Sequence, residues 1–245
     1  MTNQIPSGEP PLGALACPEP EDRPDLWPTT ARRTPDGELA LGGLTVSEIL
    51  ADAPSPVFVL DEADLRGRAA SWSAAMAEEF WSGYGLRGGD AFYAGKAFLT
   101  TQVARIVLQE GMGIDTASRV ELAVGLAGLE KVDGPEATTY ARRLGLHGNG
   151  KTPAEVTTAV RHRVGHLVID SPEEVDHAVA AVHELRRSGD FGADERARVM
   201  VRLTTGIHAG GHEYISTGHE DQKFGISVAT GAAYEACLAV EAAPE

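Results

Sequence analysis

Positive charge is scarce in this sequence: over 245 residues, 21 Lys and Arg stand against 36 Asp and Glu, for a net charge of −15. Nucleic-acid affinity rests largely on neutralising backbone phosphates with cationic side chains, so no nucleic-acid partner is expected. Cysteine is scarcer still. Cys17 and Cys237 stand far apart without a C-x-x-C spacing, which argues against a disulfide framework and a zinc knuckle. No apolar run approaches the roughly 20 residues that cross a bilayer, and no basic stretch followed by an apolar one opens the chain. The expectation is a soluble, cytoplasmic protein with no membrane partner. Two chemical fingerprints are also missing. No strand-like run leads into G-x-G-x-x-G, the mark of a dinucleotide-binding sheet, and there is no H-E-x-x-H zinc motif.

What is present is a core-forming composition, 42% hydrophobic, behind a segment that cannot add to it. Residues 1–28 carry seven prolines among acidic residues. Such a segment buries too little apolar surface to offset its ordering entropy, and a disordered tail is expected there. Residues 29–54 contain "DGELALGGLTVSEILA", where Asp36-Gly37 and Gly42-Gly43 bracket a short β stretch ahead of a small amphipathic helix. Beyond residue 55, apolar runs too short for helices recur: "VFVL" (57–60), "AFYAG" (91–95), "MGID" (112–115), "LGLHG" (144–148), "HLVID" (166–170) and "VMVRLT" (199–204). Each except the last is followed by a helix-like segment, the pattern of βα units around a parallel sheet.

Helix starts are marked as well. Ser118-x-x-Glu121, Thr152-x-x-Glu155 and Ser171-x-x-Glu174 have capping-box form, and Pro153 and Pro172 follow the last two at the first helical position. After Thr100, the positions Val103, Ile106 and Val107 form a core-facing stripe that Gly111 ends, with Arg105 and Gln109 on the other side. The pattern fits either a closed barrel or an open doubly wound sheet. In both, chemistry belongs at the carboxyl ends of the strands.

Lys96 lies at such an end, among Tyr93, Ala97 and Phe98. A lysine there either carries its ammonium out to solvent or is partly desolvated, which disfavours the charged form and makes the amine a nucleophile. The letters around it discriminate. Tyr93-Ala94, one free position, Lys96-Ala97-Phe98, then Val103-Ala104, Val107 and Gly111 at fixed intervals resemble the pyridoxal-phosphate attachment signature of the fold-type III amino-acid decarboxylases. Downstream, "HGNGK" (147–151), "VIDS" (168–171), "VRLTTG" (201–206) and above all "HEYISTGHEDQKFGIS" (212–227) resemble the diaminopimelate decarboxylase family, as does "SPVFVLDEADLRGRA" (55–69).

The resemblance implies an α/β fold: a partial TIM-like (β/α) barrel of the alanine racemase and decarboxylase type over residues 55–245, with 29–54 part of a β-domain. It implies pyridoxal 5'-phosphate as cofactor, carried covalently by Lys96. Asp115, Asn149 and Arg202 would be near that cofactor, Asn149 alternatively serving with His147 only to make a turn, and Arg202 pairing with a polar group of the cofactor region. His212 would contact the substrate, although Glu213 stands where the family often has proline, and Lys223 would support a strand-to-helix junction. The implied reaction is decarboxylation of a small amino acid, meso-2,6-diaminopimelate, to L-lysine, by a homodimer. A related ornithine or arginine decarboxylase, or a non-catalytic pyridoxal-phosphate- or partner-binding fragment, remain as alternatives.

A metal is not expected. His208 and His212 form H-x-x-x-H with Glu213 and His219 nearby, but Gly210 and Gly211 between them oppose the helix that would bring the imidazoles together. A barrel of this kind needs roughly 250 residues by itself. Residues 228–245 hold none of the elements the family supplies later: the histidine over the cofactor ring, the glycine-rich phosphate loop, the acid for the pyridine nitrogen, and the remaining β-domain. An incomplete decarboxylase barrel is therefore expected.

Overall fold

The computed structural model describes residues 18–78, 83, 85, 89–206 and 224–243. They fall into two units, one ending at Gly67 and the other starting at Arg68.

In the first unit, β1 (Arg32–Arg33), β2 (Leu39–Leu41) and β3 (Leu44–Thr45) form an antiparallel sheet in that order. Helix α1 (Val46–Asp52) starts on a full capping box: the Thr45 hydroxyl accepts from the Glu48 amide while the Glu48 carboxylate accepts from the Thr45 amide. Residues 18–28, the end of the segment expected as a tail, include turns. The Trp27 indole donates to the Pro18 carbonyl at 2.8 Å, and Arg33 forks onto Glu19. Residues 1–17 of the expected tail lie outside the described residues. "VFVL" differs from its expectation: residues 57–60 belong to no sheet among the described residues, and Phe58 is fully exposed. A short apolar run forms a strand only where a neighbour completes its ladder. Asp61 follows, accepting from the amide of Asp64 as α2 (Glu62–Glu78) begins.

The second unit carries the βα series. Strands β4 (Phe92–Ala94), β5 (Gly113–Thr116), β6 (Leu144–Leu146), β7 (His166–Ile169) and β8 (Val199–Val201) form a parallel sheet in sequence order. Helices α3 (Thr101–Gln109), α4 (Arg119–Asp133), α5 (Pro153–Arg161) and α6 (Pro172–Ser188) lie between them. This is the start of a (β/α) barrel, and among the described residues it is not closed, because β4 and β8 remain the two edges. The chain then crosses out of the sheet at Arg202. Its amide donates to Ile169 of β7, while its carbonyl accepts from Ile226. The short strands β9 (Leu203–Thr204) and β10 (Ile226–Ser227) thus pair in parallel ahead of α7 (Ala232–Ala242).

Alternation along the strands sorts the two faces of the sheet. Ile114, Thr116, Leu144, Leu146, Leu167 and Ile169 are all but inaccessible and face the helices. Against them pack the apolar stripes of the helices, with Val103, Ile106 and Val107 of α3 as expected from the spacing. Helices α3 and α4 approach so closely that a Cβ on Gly128 would sit 2.5 Å from the Ala104 Cβ. The other face carries Phe92, Asp115, Gly145, His166, Val168 and Met200, and Met200 remains half exposed. Parallel sheets are normally covered on both faces, so this uncovered one is where a barrel interior would form.

Candidate active site

Because all five strands are parallel, their carboxyl ends converge on one rim, and the sequence-predicted residues are distributed along it. Lys96 follows β4 in a single 3-10 turn, Gly95–Ala97, before Thr100 caps α3 through its hydroxyl. Two contacts hold that turn. The Tyr93 hydroxyl donates to the Phe98 carbonyl at 2.6 Å, and burial pushes its pKa up, which keeps it a donor. Gly95 lies against β5 so tightly that a Cβ there would be 2.9 Å from the Asp115 carbonyl oxygen. Lys96 itself is exposed and makes no hydrogen bond or ion pair among the described residues. The expected apolar surroundings are absent here, since Ala97 and Phe98 are exposed too. One open face of a sheet cannot exclude water from a side chain at its rim.

Asp115 sits one strand over, paired in register with Ala94. Its Oδ1 accepts a 2.8 Å hydrogen bond from His147 Nδ1 at the end of β6. His147 is fixed in turn by its amide, which donates to the Thr116 carbonyl. Gly145, the register partner of Asp115, has no side chain to fill the space beside that carboxylate. His166 follows on β7 in the same row, edge-on to the Phe92 ring at 5.1 Å between centroids. Asn149 is exposed in the turn between Gly148 and Gly150 and has no hydrogen bond among the described residues.

Arg202 does not reach this row. It pairs with Asp170 Oδ1 at 3.2 Å and lies over the Phe224 ring at 5.0 Å. Its partner is thus Asp170 at the carboxyl end of β7. Behind it is a buried network that sequence reasoning missed. Lys151 Nζ lies 2.8 Å from Glu174 Oε2 and 3.5 Å from Asp170 Oδ2, and donates to the Gly148 carbonyl at 2.7 Å. All three side chains are at most 4% exposed. Asp170 Oδ2 has no hydrogen bond.

The cap pattern concealed Glu174. Ser171 makes no capping bond, and Glu174 instead accepts from the amides of Asp170 and Lys151. The apolar run Leu167-Val168-Ile169 leading directly into Asp170 was the available signal. His208, His212, Glu213, His219 and Lys223 lie outside the described residues, and among those described no cluster could hold a metal. Nor is any helix among them long and apolar enough to cross a membrane.

Comparison with known proteins fits this arrangement. Residues 64–243 match the family described as pyridoxal-dependent decarboxylase, pyridoxal binding domain. The diaminopimelate decarboxylase of Mycobacterium tuberculosis is 38% identical over 213 residues, covering 87% of this chain and 42% of that protein. That of Corynebacterium efficiens is 36% identical over 215 residues, covering 87% and 41%. The chain therefore spans about two fifths of the length of these curated relatives. Among solved structures, the diaminopimelate decarboxylase of M. jannaschii superposes with a TM-score of 0.71 at 22% identity, over 88% of this chain and 45% of that one. A second structure of it, in complex with L-lysine, gives 0.68. A family match over residues 64–243, a common fold and relatives similar over most of the chain lead to one conclusion: the chain belongs to the pyridoxal-dependent decarboxylase family, through its pyridoxal binding domain.

Proposed function

We propose that this chain is the cofactor-bearing part of a diaminopimelate decarboxylase, releasing carbon dioxide from meso-2,6-diaminopimelate to leave L-lysine. The observation that carries the reading is the placement of Lys96: a primary amine with no internal partner among the described residues, at the carboxyl end of a barrel strand beside the Asp115–His147 pair. The relatives named above support the choice of substrate.

The residues present fit the aldehyde end of pyridoxal 5'-phosphate. An amine attacks an aldehyde only when it is unengaged, and among the described residues no carboxylate pairs with Lys96. When bound, the pyridine ring supplies an electron sink for the pair left behind as carbon dioxide departs. The chain's own residues do the rest. Tyr93 fixes the turn that carries Lys96. His147 holds the Asp115 carboxylate in one orientation toward the space left by Gly145. In the full-length enzyme, cytoplasmic and homodimeric in this reading, the covered barrel interior would exclude water from these groups.

The test is borohydride reduction after incubation with pyridoxal phosphate, followed by peptide mapping. The expected label falls on Lys96 and disappears in Lys96→Ala, and the unreduced full-length enzyme with pyridoxal phosphate releases carbon dioxide from diaminopimelate, an activity that the reduction abolishes. Label on Lys131, Lys151 or Lys223 instead would overturn the assignment. Label on Lys96 without carbon dioxide release would leave a cofactor-binding protein that is not this decarboxylase.

A further inference from the structure

The opposite rim of the same sheet carries a second concentration of charge, and its sign is the reverse of the molecule's. At the amino-terminal ends of β6, β7 and β8, Arg142, Arg163, Arg196 and Arg198 line a pocket of about 120 Å³ together with Val164 and Glu195. In a chain of net charge −15, four guanidinium groups thus share one carboxylate. That carboxylate is already neutralised, because Arg163 forks onto Glu195 with bonds of 3.1 and 2.7 Å. Arg142, Arg196 and Arg198 have exposed side chains and no ion pair among the described residues.

The pocket is built rather than loosely assembled. Arg163 holds a left-handed backbone, φ 47°, and its guanidinium lies against both the Tyr140 and Phe191 rings at 5.1 and 4.9 Å. Its remaining donors reach the carbonyls of Arg161 and Asp190. The loop that presents Glu195 and Arg196 is pinned by Arg186, which donates to the Glu195 carbonyl at 2.8 Å, and by the Gly192 amide on Glu195 Oε2. Arg142 is held by the close passage of Gly165, where a Cβ would meet the Arg142 carbonyl oxygen at 2.0 Å. Arg198 is anchored through its carbonyl, which accepts from Leu167 of β7. Like charges brought together on fixed backbone repel one another unless an anion joins them.

We propose that this rim is a binding site for a small oxyanion of the phosphate class. Planar guanidinium forks match the oxygens of such an ion in pairs. The volume selects for size, since pockets for drug-sized ligands run to roughly 300 Å³ or more. The site lies at the opposite ends of the strands from Lys96, so it is separate from any phosphate the cofactor itself would bring.

Inorganic phosphate is the probe. Arginine modification with phenylglyoxal, followed by peptide mapping, is run on the intact chain in phosphate or in chloride at equal ionic strength. The expected result is saturable protection of Arg142, Arg196 and Arg198 by phosphate, with exposed arginines elsewhere, such as Arg32, unprotected. Titration calorimetry on Arg196→Gln and Arg198→Gln should show affinity weakened by roughly 10-fold or more for each lost charged hydrogen bond, while Lys96→Ala leaves this binding unchanged. Equal protection in chloride and phosphate, or phosphate binding that survives the two Gln variants and is lost in Lys96→Ala, would overturn the proposal.

Discussion

At the scale of single residues, the least expected feature is the buried set formed by Lys151, Asp170 and Glu174. Each group sits where water is excluded and is held by the others, with Arg202 also on Asp170. Lys151→Met removes the cation, leaving Glu174 without an ion-pair partner and Asp170 with Arg202 alone, and should cost about 3–5 kcal/mol of unfolding free energy. Adding Glu174→Gln should recover part of that loss, because the two substitutions act on one network and are not additive. Urea unfolding of the single and double variants measures both. A single variant as stable as the parent would show that the ion pair contributes no net stability. Lys96 is the contrasting lysine: exposed at the same rim, without a partner among the described residues, and therefore available for chemistry.

At the scale of elements, two junctions that look alike in sequence behave differently. Thr152-Pro153 and Ser171-Pro172 each precede an acidic residue at the third helical position. Thr152 and Glu155 complete a reciprocal capping box, with Glu155 Oε1 also accepting from the Arg119 amide at the start of α4. Ser171 caps nothing. Thr152→Ala should therefore cost about 1 kcal/mol, while Ser171→Ala should stay within about 0.5 kcal/mol, both read from shifts in the urea midpoint. The helices and five of the six apolar runs were legible because periodicity and caps are local. Whether a capping glutamate turns back to its own helix or inward to a lysine 23 positions away is decided by what the neighbouring strand brings alongside. "VFVL" shows the same limit, since its strand character depends on a partner that local sequence does not contain.

At the scale of the whole molecule, the acidic composition meets the pKa shifts. The Arg163 guanidinium holds the Glu195 carboxyl below its ordinary value of 4.5, and the Thr152 amide and hydroxyl do the same for Glu155. A depressed folded-state pKa means the unfolded chain binds the proton more readily. The stability these groups contribute is complete above that ordinary value and is lost as pH falls through the lowered ones. The urea midpoint should therefore decline below about pH 5, and Glu195→Gln should decline less steeply than the parent. Identical acid limbs would show that the Arg163–Glu195 pair does not couple to folding.

What the linear sequence determined was everything that repeats or caps over a few residues: the βα alternation, the stripe on α3, the lysine signature and the family to which it points. The tertiary structure decided which polar groups meet. Asp115 found His147 across two strands, Arg202 turned to Asp170, and Lys151 joined Glu174. Four arginines dispersed over residues 142–198 converged on one pocket. Each of these meetings depends on strand register, and register is fixed by the core packing of the whole sheet rather than by the residues that meet.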